Sequence, residues 1–370
     1  MVPSPKLAQT GQSYFDAVSC APSSGTKPMT CFAVGSRVTL TGVIRPLIER
    51  WTGGGWKVVT APFTAHAIAS SLVAVSCPSA KSCVAVGNAR STATSPSVPL
   101  IARWNGSKWS FATGPHPKGA TGTYLNGISC PGPTACIAVG NYSSSQTLGA
   151  PLAVRLNGGK WSLVKLPQPG RSAATTLSGV SCTGAGKAAV CWAVGSYATE
   201  PEREPFYTVT ERLAHGKWTL VPSPNFNKSH YSAFTSVSCA SPKSCLAAGY
   251  WRHGTGATFG ARWNGKRWTA VRTRNPRGFV FSHLAGISCT SATRCLAIGT
   301  YSMGGPKSLT LVELWNGRAW QVQSSPQPRK STSSALLGVS CTSGTRCLAV
   351  GTYRVNKFGN PAAGFGQHRS

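Results

Sequence analysis

Residues 288–299 read SCTSATRCLAIG and residues 315–320 read WNGRAW, and these two segments decide the fold. The first contains a Ser-Cys step, a five-residue loop, a second Cys and an apolar run that ends in Gly. The second places two Trp around an Asn-Gly centre, which is typical of tight β-hairpin turns. Together they predict four short strands: one ending at Ser-Cys, one running from Cys to Gly, and two flanking the Trp turn.

The Cys segment occurs seven times, at intervals of 50 to 57 residues, and accounts for all 14 cysteines. The pairs are Cys20/Cys31, Cys77/Cys83, Cys130/Cys136, Cys182/Cys191, Cys239/Cys245, Cys289/Cys295 and Cys341/Cys347. A Trp-turn segment follows each of the first six pairs, at 51–56, 104–109, 156–161, 213–218, 263–268 and 315–320. Four strands at this period are typical of a propeller, whereas a β-solenoid normally has a shorter coil. We therefore predict one all-β domain over residues 1–370, a seven-bladed β-propeller of four-stranded antiparallel blades.

The two ends of the chain leave the closure of the last blade open. The seventh unit runs to Ser370 without a Trp turn, which predicts an incomplete last blade. Residues 2–5 read VPSP, as does the fourth-strand tail at 221–224, so either the chain start supplies the missing outer strand or the chain is a fragment. Neither a signal peptide nor an apolar stretch of membrane-spanning length is visible.

The two motifs resemble those of a group of uncharacterised bacterial exported repeat proteins, whose units carry SC-x5-C-x-AVG and WNGxxW. The resemblance spans nearly the whole chain and implies export. More distantly, the Gly-x-x-Trp turn is similar to the Asp-box hairpin of BNR-like, sialidase-type propellers. The Asp of that box is absent here, and Asn105, Asn157, Asn264 and Asn316 lie one place closer to Gly. This second resemblance therefore implies a hairpin fold and not sialidase activity.

The paired cysteines are predicted to form local disulfides. In the first and fourth units the loop grows from five residues to ten and eight, yet both cysteines stay at the strand ends. Facing residues of antiparallel strands lie about 4.5 to 5.5 Å apart at Cα, within the range of a disulfide. A zinc site would need four ligands, and each unit offers only two. Seven disulfides indicate an oxidising compartment, so we predict an extracellular or cell-surface protein despite the missing signal peptide.

Most of the Trp residues are predicted to pack between blades. The first position of the turn is Trp in four units and Leu at 156 and 213, a change that keeps apolar volume but would destroy a platform for stacking sugars. Trp251 falls outside this pattern. With Arg252 and His253 it is predicted to lie in a loop. It is therefore a better candidate for contact with a ligand than Trp192, the other Trp outside the pattern.

The formal charge of +30 does not by itself require a polyanionic partner. Spread evenly over a compact chain of this size, the excess charges lie roughly 20 Å apart, beyond the Debye length of about 8 Å. Both ends of the predicted propeller are basic, so charge does not choose between them. The positive charge favours anionic polymers as partners but does not identify one.

No catalytic residue, metal ligand set or cofactor motif can be named. Glycoside hydrolysis needs two neighbouring carboxylates, and the chain has seven acids in total. Glu49, Glu211 and Glu313 take equivalent third-strand positions in different units, which indicates a structural role. Glu200, Glu202 and Glu204 share one loop, which favours a solvated acidic loop over a cation or substrate contact. The histidines show no metal-binding spacing.

These features favour a non-catalytic exported propeller that binds or scaffolds at the cell surface, with an anionic or carbohydrate polymer or another surface protein as partner. One alternative is a carbohydrate-active hydrolase or lyase that uses the Glu200–Glu204 loop or a basic residue in the central funnel. The other is a nucleic-acid-binding protein, which is disfavoured because the aromatic residues are committed to packing rather than interleaved with basic ones. The sequence does not define the oligomeric state.

Overall fold

The computed structural model describes residues 2–5, 10–22, 29–60, 67–170, 172–184, 186–200, 205–226, 231–253, 255–355 and 363–369. In this part of the chain nearly all regular structure is β-strand, and each Cys unit contributes consecutive antiparallel strands to one meander. The first strand of each meander pairs with the second, the second with the third, and the third with the fourth. The described ranges contain no apolar helix of a length that could cross a membrane.

The strands are numbered in chain order and grouped by their position in the meander. The first strands are β2 (Thr10–Cys20), β6 (Ala69–Ser79), β10 (Ala120–Gly132), β14 (Ala174–Thr183), β18 (Tyr231–Ser241), β22 (Phe281–Ser291) and β26 (Ser333–Cys341). The second strands are β3 (Cys31–Thr39), β7 (Ser82–Arg90), β11 (Ala135–Ser144), β15 (Val190–Ala198), β19 (Ser244–His253), β23 (Arg294–Ser302) and β27 (Cys347–Arg354). A short 3₁₀ helix (Gly186–Ala188) lies in the loop before β15.

The third and fourth strands flank the Trp turn where one is present. The third strands are β4 (Ile44–Trp51), β8 (Val98–Trp104), β12 (Thr147–Asn157), β16 (Phe206–Ala214), β20 (Thr255–Trp263), β24 (Ser308–Trp315) and β28 (Ala363–Arg369). The fourth strands are β5 (Trp56–Val58), β9 (Trp109–Thr113), β13 (Lys160–Val164), β17 (Lys217–Leu220), β21 (Trp268–Val271), β25 (Trp320–Val322) and, from the chain start, β1 (Val2–Pro3). Strand β1 pairs antiparallel with β28, so the chain start lies beside the last unit.

The predicted disulfides are confirmed. All seven local pairs are bonded and no described cysteine is free. Their Cα atoms lie 3.9 to 4.1 Å apart, somewhat closer than expected for facing strands, because the covalent bond draws the strand ends together. In the first and fourth units the bonded cysteines also face each other in the strand register, although their loops are longer. Each bond therefore closes the hairpin between the first and second strands.

The strand limits at these bonds differ from the prediction. We expected the second strand to begin at the second cysteine, but in five units it begins one residue earlier. The cysteines preceded by a strand residue in this way are Cys83, Cys136, Cys191, Cys245 and Cys295. The ladder continues past the bond because the disulfide holds the two strand ends together, so that a further pair of residues can face each other. One such pair is Ser79 and Ser82.

The sulfur atoms of these bonds have a structural role and are not available as ligands. The second cysteine of every pair is buried, with 0 to 7% of its surface exposed. In three units its Sγ lies 3.7 to 3.8 Å from a serine carbonyl oxygen of the same hairpin. These contacts join Cys83 to Ser79, Cys245 to Ser241 and Cys295 to Ser291. Because a disulfide sulfur carries no hydrogen, they are packing contacts and not the hydrogen bonds that free thiols would donate.

The Ser before each first cysteine joins neighbouring units. The backbone N–H of Cys77 in the second unit donates to Ser19 Oγ in the first unit at 3.0 Å. Equivalent bonds of 2.9 to 3.0 Å run from Cys130 to Ser76, Cys182 to Ser129, Cys239 to Ser181, Cys289 to Ser238 and Cys341 to Ser288. The same bond runs from the N–H of Cys20 to Ser340 Oγ at 3.0 Å. The first unit therefore neighbours the last, and the recurrence of Ser has a structural cause.

The first strands surround a narrow central cavity of about 160 Å³. Each has a β-bulge, and the bulged residues are Asp16, Val73, Asn126, Ser178, Thr235, Ala285 and Leu337. The next residue in each strand is small because neighbouring backbones approach closely. A Cβ on Gly338 would lie 2.6 Å from the Cα of Ala17, in the first unit. The first strands are thus innermost, and those of the last and first units touch.

The prediction that the turn Trp residues pack inside the protein is confirmed. All of them except Trp161 are buried. The two rings of a turn lie 5.6 to 6.0 Å apart where both are Trp. An apolar residue of the preceding unit joins them: the Phe32 ring lies 5.1 Å from Trp104, and the Trp192 ring lies 4.5 Å from Trp263. The main cores therefore lie between successive meanders.

Asparagine shapes the Trp turn itself. Asn264 Oδ1 accepts hydrogen bonds from the backbone N–H groups of Lys266 and Arg267 at 3.0 and 2.9 Å. Gly265 between them has a φ of 92°, a conformation that favours glycine. The Asn side chain thus holds the turn that brings the two indoles together, without the Asp of an Asp-box.

Candidate functional site

The candidate site lies at the end of the meanders opposite the Cys turns, where second strands end and third strands begin. We call this end the loop face. In five units the second residue after the Gly of the apolar run is aromatic, and these residues are Tyr142, Tyr197, Trp251, Tyr301 and Tyr353. Each is half-buried and packs against the core of its own unit. Trp251 therefore occupies a recurring aromatic position, which emerges only when the repeats are aligned past Gly.

The prediction that Trp251, Arg252 and His253 lie in a loop is wrong. They are the last three residues of β19, and His253 faces Thr255 of β20 across the hairpin. The ladder continues to the tip of this hairpin because aromatic residues and Thr are good strand formers. Arg252 and His253 are exposed, as a ligand contact would require, and Trp251 is half-buried.

Trp251 forms a flat aromatic stack with Phe226. The two ring centroids are 4.1 Å apart and the planes are inclined by 7°. Phe226 is 42% exposed although it is a large apolar residue. This stack presents an aromatic surface to solvent at the loop face.

A second aromatic group, the tyrosine cluster, consists of Phe206, Tyr231, Tyr250, Phe281 and His283, with Arg252 above it. It spans the fourth, fifth and sixth units. The Tyr231 ring lies 4.8 Å from Phe206 and 5.3 Å from Tyr250. Tyr250 in turn lies 5.3 Å from the His283 ring and 6.3 Å from Phe281. All five rings are half-buried, so the cluster is anchored by packing and open on one side.

Arg252 supplies the cation of this cluster. Its Cζ lies 5.5 Å from the centre of the Tyr231 ring, a cation–π contact made by an exposed side chain. Burial lowers the pKa of His283 to about 4, so this imidazole is neutral at pH 7. Burial also raises the pKa of the Tyr250 phenol well above its ordinary value, and a hydrogen bond with Tyr231 adds to this. The cluster thus combines a fixed positive charge with neutral hydroxyl and ring groups.

Glu200 is exposed and follows β15 of the fourth unit, while Glu202 and Glu204 lie outside the described residues. Within the described residues, no three His, Cys, Asp or Glu side chains converge as metal ligands would.

The third-strand glutamates are buried between units, in agreement with a structural role. Glu313 Oε2 accepts a hydrogen bond from the N–H of Arg274 at 3.0 Å, in the tail after the preceding unit's fourth strand. Ser4 Oγ donates to Glu49 Oε1 in the same way, so the segment after β1 takes the place of such a tail. Burial raises the pKa of Glu49 and Glu313 to about 7. Glu211, with both carboxyl oxygens unpartnered, has its pKa raised by burial to about 8.

The central cavity contains one acid that sequence reasoning passed over. Asp16 is the bulged residue of β2 and lines the cavity with Asn126, Ser178 and Thr235. Burial raises the pKa of its carboxyl to about 6. No sequence signal marks this position, because the bulged residue differs in every unit.

The fold has known counterparts. The chain is similar in structure to a polysaccharide lyase of family PL25, an ulvan lyase, with 11% identity over 97% of this chain and 98% of that one and a TM-score of 0.56. A protein of unknown function from Dyadobacter fermentans is 10% identical over 100% of this chain and 98% of that one, with a TM-score of 0.52. The six-bladed β-propeller lectin of Aleuria aurantia is 13% identical over 87% of this chain and 97% of that one, with a TM-score of 0.43.

At such identities these likenesses bear on the fold alone. No family model matches the chain. No curated protein matches its sequence either. The meanders around the central cavity define the class of the protein as an all-β, disulfide-bonded propeller.

Proposed function

We propose that the protein is a non-catalytic propeller that binds an anionic carbohydrate polymer through its loop face, outside the reducing cytosol. The observation that carries this proposal is the exposed Arg252 guanidinium above the Tyr231 ring. A carboxylate or sulfate of the polymer pairs with a guanidinium, which binds such groups in bidentate fashion. The adjoining rings give flat surfaces on which the apolar faces of sugar rings stack.

We propose that the propeller has seven blades. The Ser-Cys hydrogen bonds support it, because they run from unit to unit and return from Ser340 to Cys20. The pairing of β1 with β28 supports it too, since it gives the last meander an outer strand from the chain start. A closed ring of this kind fixes the loop face rigidly, which lowers the entropy lost when a polymer binds.

The environment in this proposal is extracellular or the cell surface. Seven disulfide bonds support it, because such bonds persist in oxidising compartments and are rare in the cytosol. The formal charge of +30 favours association with a polyanion by long-range attraction, and this contribution weakens as salt is added.

The proposal is tested by binding heparin and polygalacturonate, with neutral dextran as the comparison polymer. We expect affinity for the two polyanions to fall with rising salt and dextran to bind weakly. Arg252→Ala should weaken polyanion binding by about tenfold to a hundredfold, the usual range for a charge-assisted hydrogen bond. Arg90→Ala is the matched control, because Arg90 is exposed at the same place in the second unit but faces Ala69 instead of Tyr231.

Equal losses in Arg252→Ala and Arg90→Ala would contradict the site, because net charge alone would then explain binding. Equal binding of dextran would contradict the anionic ligand. The non-catalytic part is tested separately by incubating the wild-type protein with both polyanions. If the polymers became shorter, or if an unsaturated uronate absorbing in the ultraviolet appeared, the protein would be a lyase or hydrolase and the non-catalytic part of the proposal would be wrong.

A further inference from the structure

A pocket of about 420 Å³ opens between the third and fourth units, on the side of the Cys turns. Its volume lies within the range of small-molecule sites. The wall is mostly apolar, with Ile137, Leu156 and Leu213 on it, and Arg155 and His215 supply its cationic and titratable groups. The described residues that line it include no acid.

Two other pairs of neighbouring units show what fills the equivalent space there. Between the first and second units, Arg50 Cζ lies 5.9 Å from the centre of the Trp104 ring. Between the fourth and fifth units, Arg212 Cζ lies 5.9 Å from the Trp263 ring. In both places an arginine of one third strand covers the first Trp of the next unit's turn.

Arg155 is the equivalent arginine of the third unit, but the fourth unit has Leu213 where four of the other five turns have Trp. Leucine has no π face and fills less volume than an indole. The pocket is therefore a cation–π site whose ring is missing from the chain itself. The neighbouring Leu156 is the other position at which a turn has Leu instead of Trp, and it too lines the pocket.

We propose that this pocket binds a small planar aromatic anion. The ring takes the place of the missing indole against Leu213 and Ile137, under the Arg155 guanidinium, and the anionic group lies at the rim near Arg155 and His215. The ligand is an anion because the half-buried Arg155 guanidinium carries a positive charge and no described lining residue carries a negative one, so an anionic group can pair with it. The site lies at the opposite end from the loop face, so it stands or falls independently of polymer binding.

The test uses indole-3-acetate and its neutral isostere indole-3-acetamide, titrated calorimetrically into the intact protein. We expect the wild type to bind the acid at least tenfold more tightly than the amide. Arg155→Ala should remove this preference. Arg103→Ala, which changes the equivalent but exposed arginine of the second unit, should leave both affinities unchanged.

Two substitutions place a ring in the pocket at the position where four other units carry Trp, Leu213→Trp and Leu213→Phe. Each should reduce binding of the acid at least tenfold while the thermal unfolding midpoint stays the same or rises. Two variants are used so that the test survives if one fails to fold. Undiminished binding in the folded variants, equal binding of acid and amide by the wild type, or no binding of either would overturn the proposal.

Discussion

Replacing Glu211 with Val should make the protein more stable at pH 8 and remove part of its loss of stability between pH 5 and 8, to which the buried Glu49 and Glu313 also contribute. Glu211 is fully buried on β16, and neither carboxyl oxygen has a hydrogen-bond partner. Val154 and Ala261 fill the same position in neighbouring units, so a small apolar residue fits there.

The magnitude follows from proton linkage. Burial raises the pKa of Glu211 from the usual 4.5 to about 8, so between these values the folded protein binds more protons at this site than the unfolded chain. Its folding stability therefore falls as pH rises through this window and is highest below it. At about 1.4 kcal/mol per pH unit, the full window corresponds to roughly 5 kcal/mol.

Thermal unfolding followed by circular dichroism from pH 5 to pH 9 measures the effect. We expect the midpoint of the wild type to fall across the range and that of Glu211→Val to stay flatter and to exceed it at pH 8. Glu200→Val removes the same charge from an exposed side chain and serves as control. The reasoning is refuted if Glu211→Val has the same pH profile as the wild type, or if it is less stable at pH 8.

Other predictions concern ring closure and the disulfides. Ser340→Ala leaves the Cys20 N–H without its acceptor and should cost about 1 to 3 kcal/mol, seen as a lower unfolding midpoint, whereas Ser107→Ala in an exposed turn should change little. Gly338→Val places side-chain atoms against the Ala17 backbone, so it should destabilise by at least about 1 to 3 kcal/mol in the same assay. Full reduction should lower the midpoint further than either substitution, because it removes seven constraints, each weaker than the roughly 3 kcal/mol of a 15-residue loop. A midpoint unaffected by reduction would contradict a stabilising role of the bonds.

The strand order, the disulfides and the Trp packing could be predicted from the sequence because the same motifs recur in up to seven units, and each prediction had to fit all of them. Cys182 and Cys191 stay near strand ends although their loop is longer than most, which only a local bond explains. Leu at 156 and 213 showed that the Trp position needs apolar volume. In each case the residues concerned lie close together in the sequence, and the seven copies show which positions stay the same and which vary. The exact strand limits were missed at Cys83, Cys245 and Cys295, because the residue before each of them is polar and pairs only once the bond has closed the hairpin.

The loop-face site could not be read in the same way because its parts are far apart in sequence. Phe226 stacks on Trp251, and Phe281 approaches Tyr250. Both contacts depend on how the segments between the strands fold, which no local pattern predicts. The assignment of Trp251 to a loop failed because its segment was taken as part of the connection between the second and third strands, whereas β19 continues to His253. Asp16 was missed because a bulge follows from how first strands crowd around an axis, whatever residue occupies it.

The repeats also act as internal controls for finding sites. Positions that recur in every unit, such as the Ser-Cys step, are accounted for by hydrogen bonds and covalent bonds between strands. Their recurrence therefore needs no ligand to explain it. Departures from the repeat carry the opposite meaning. Leu213 stands where four other units have a Trp that packs in the core, and an open pocket lies there beside Arg155. Trp251 replaces a Tyr, and the result is an exposed stack next to Arg252. Function in this fold is therefore best sought where one unit differs from the others and the packing does not close over the difference.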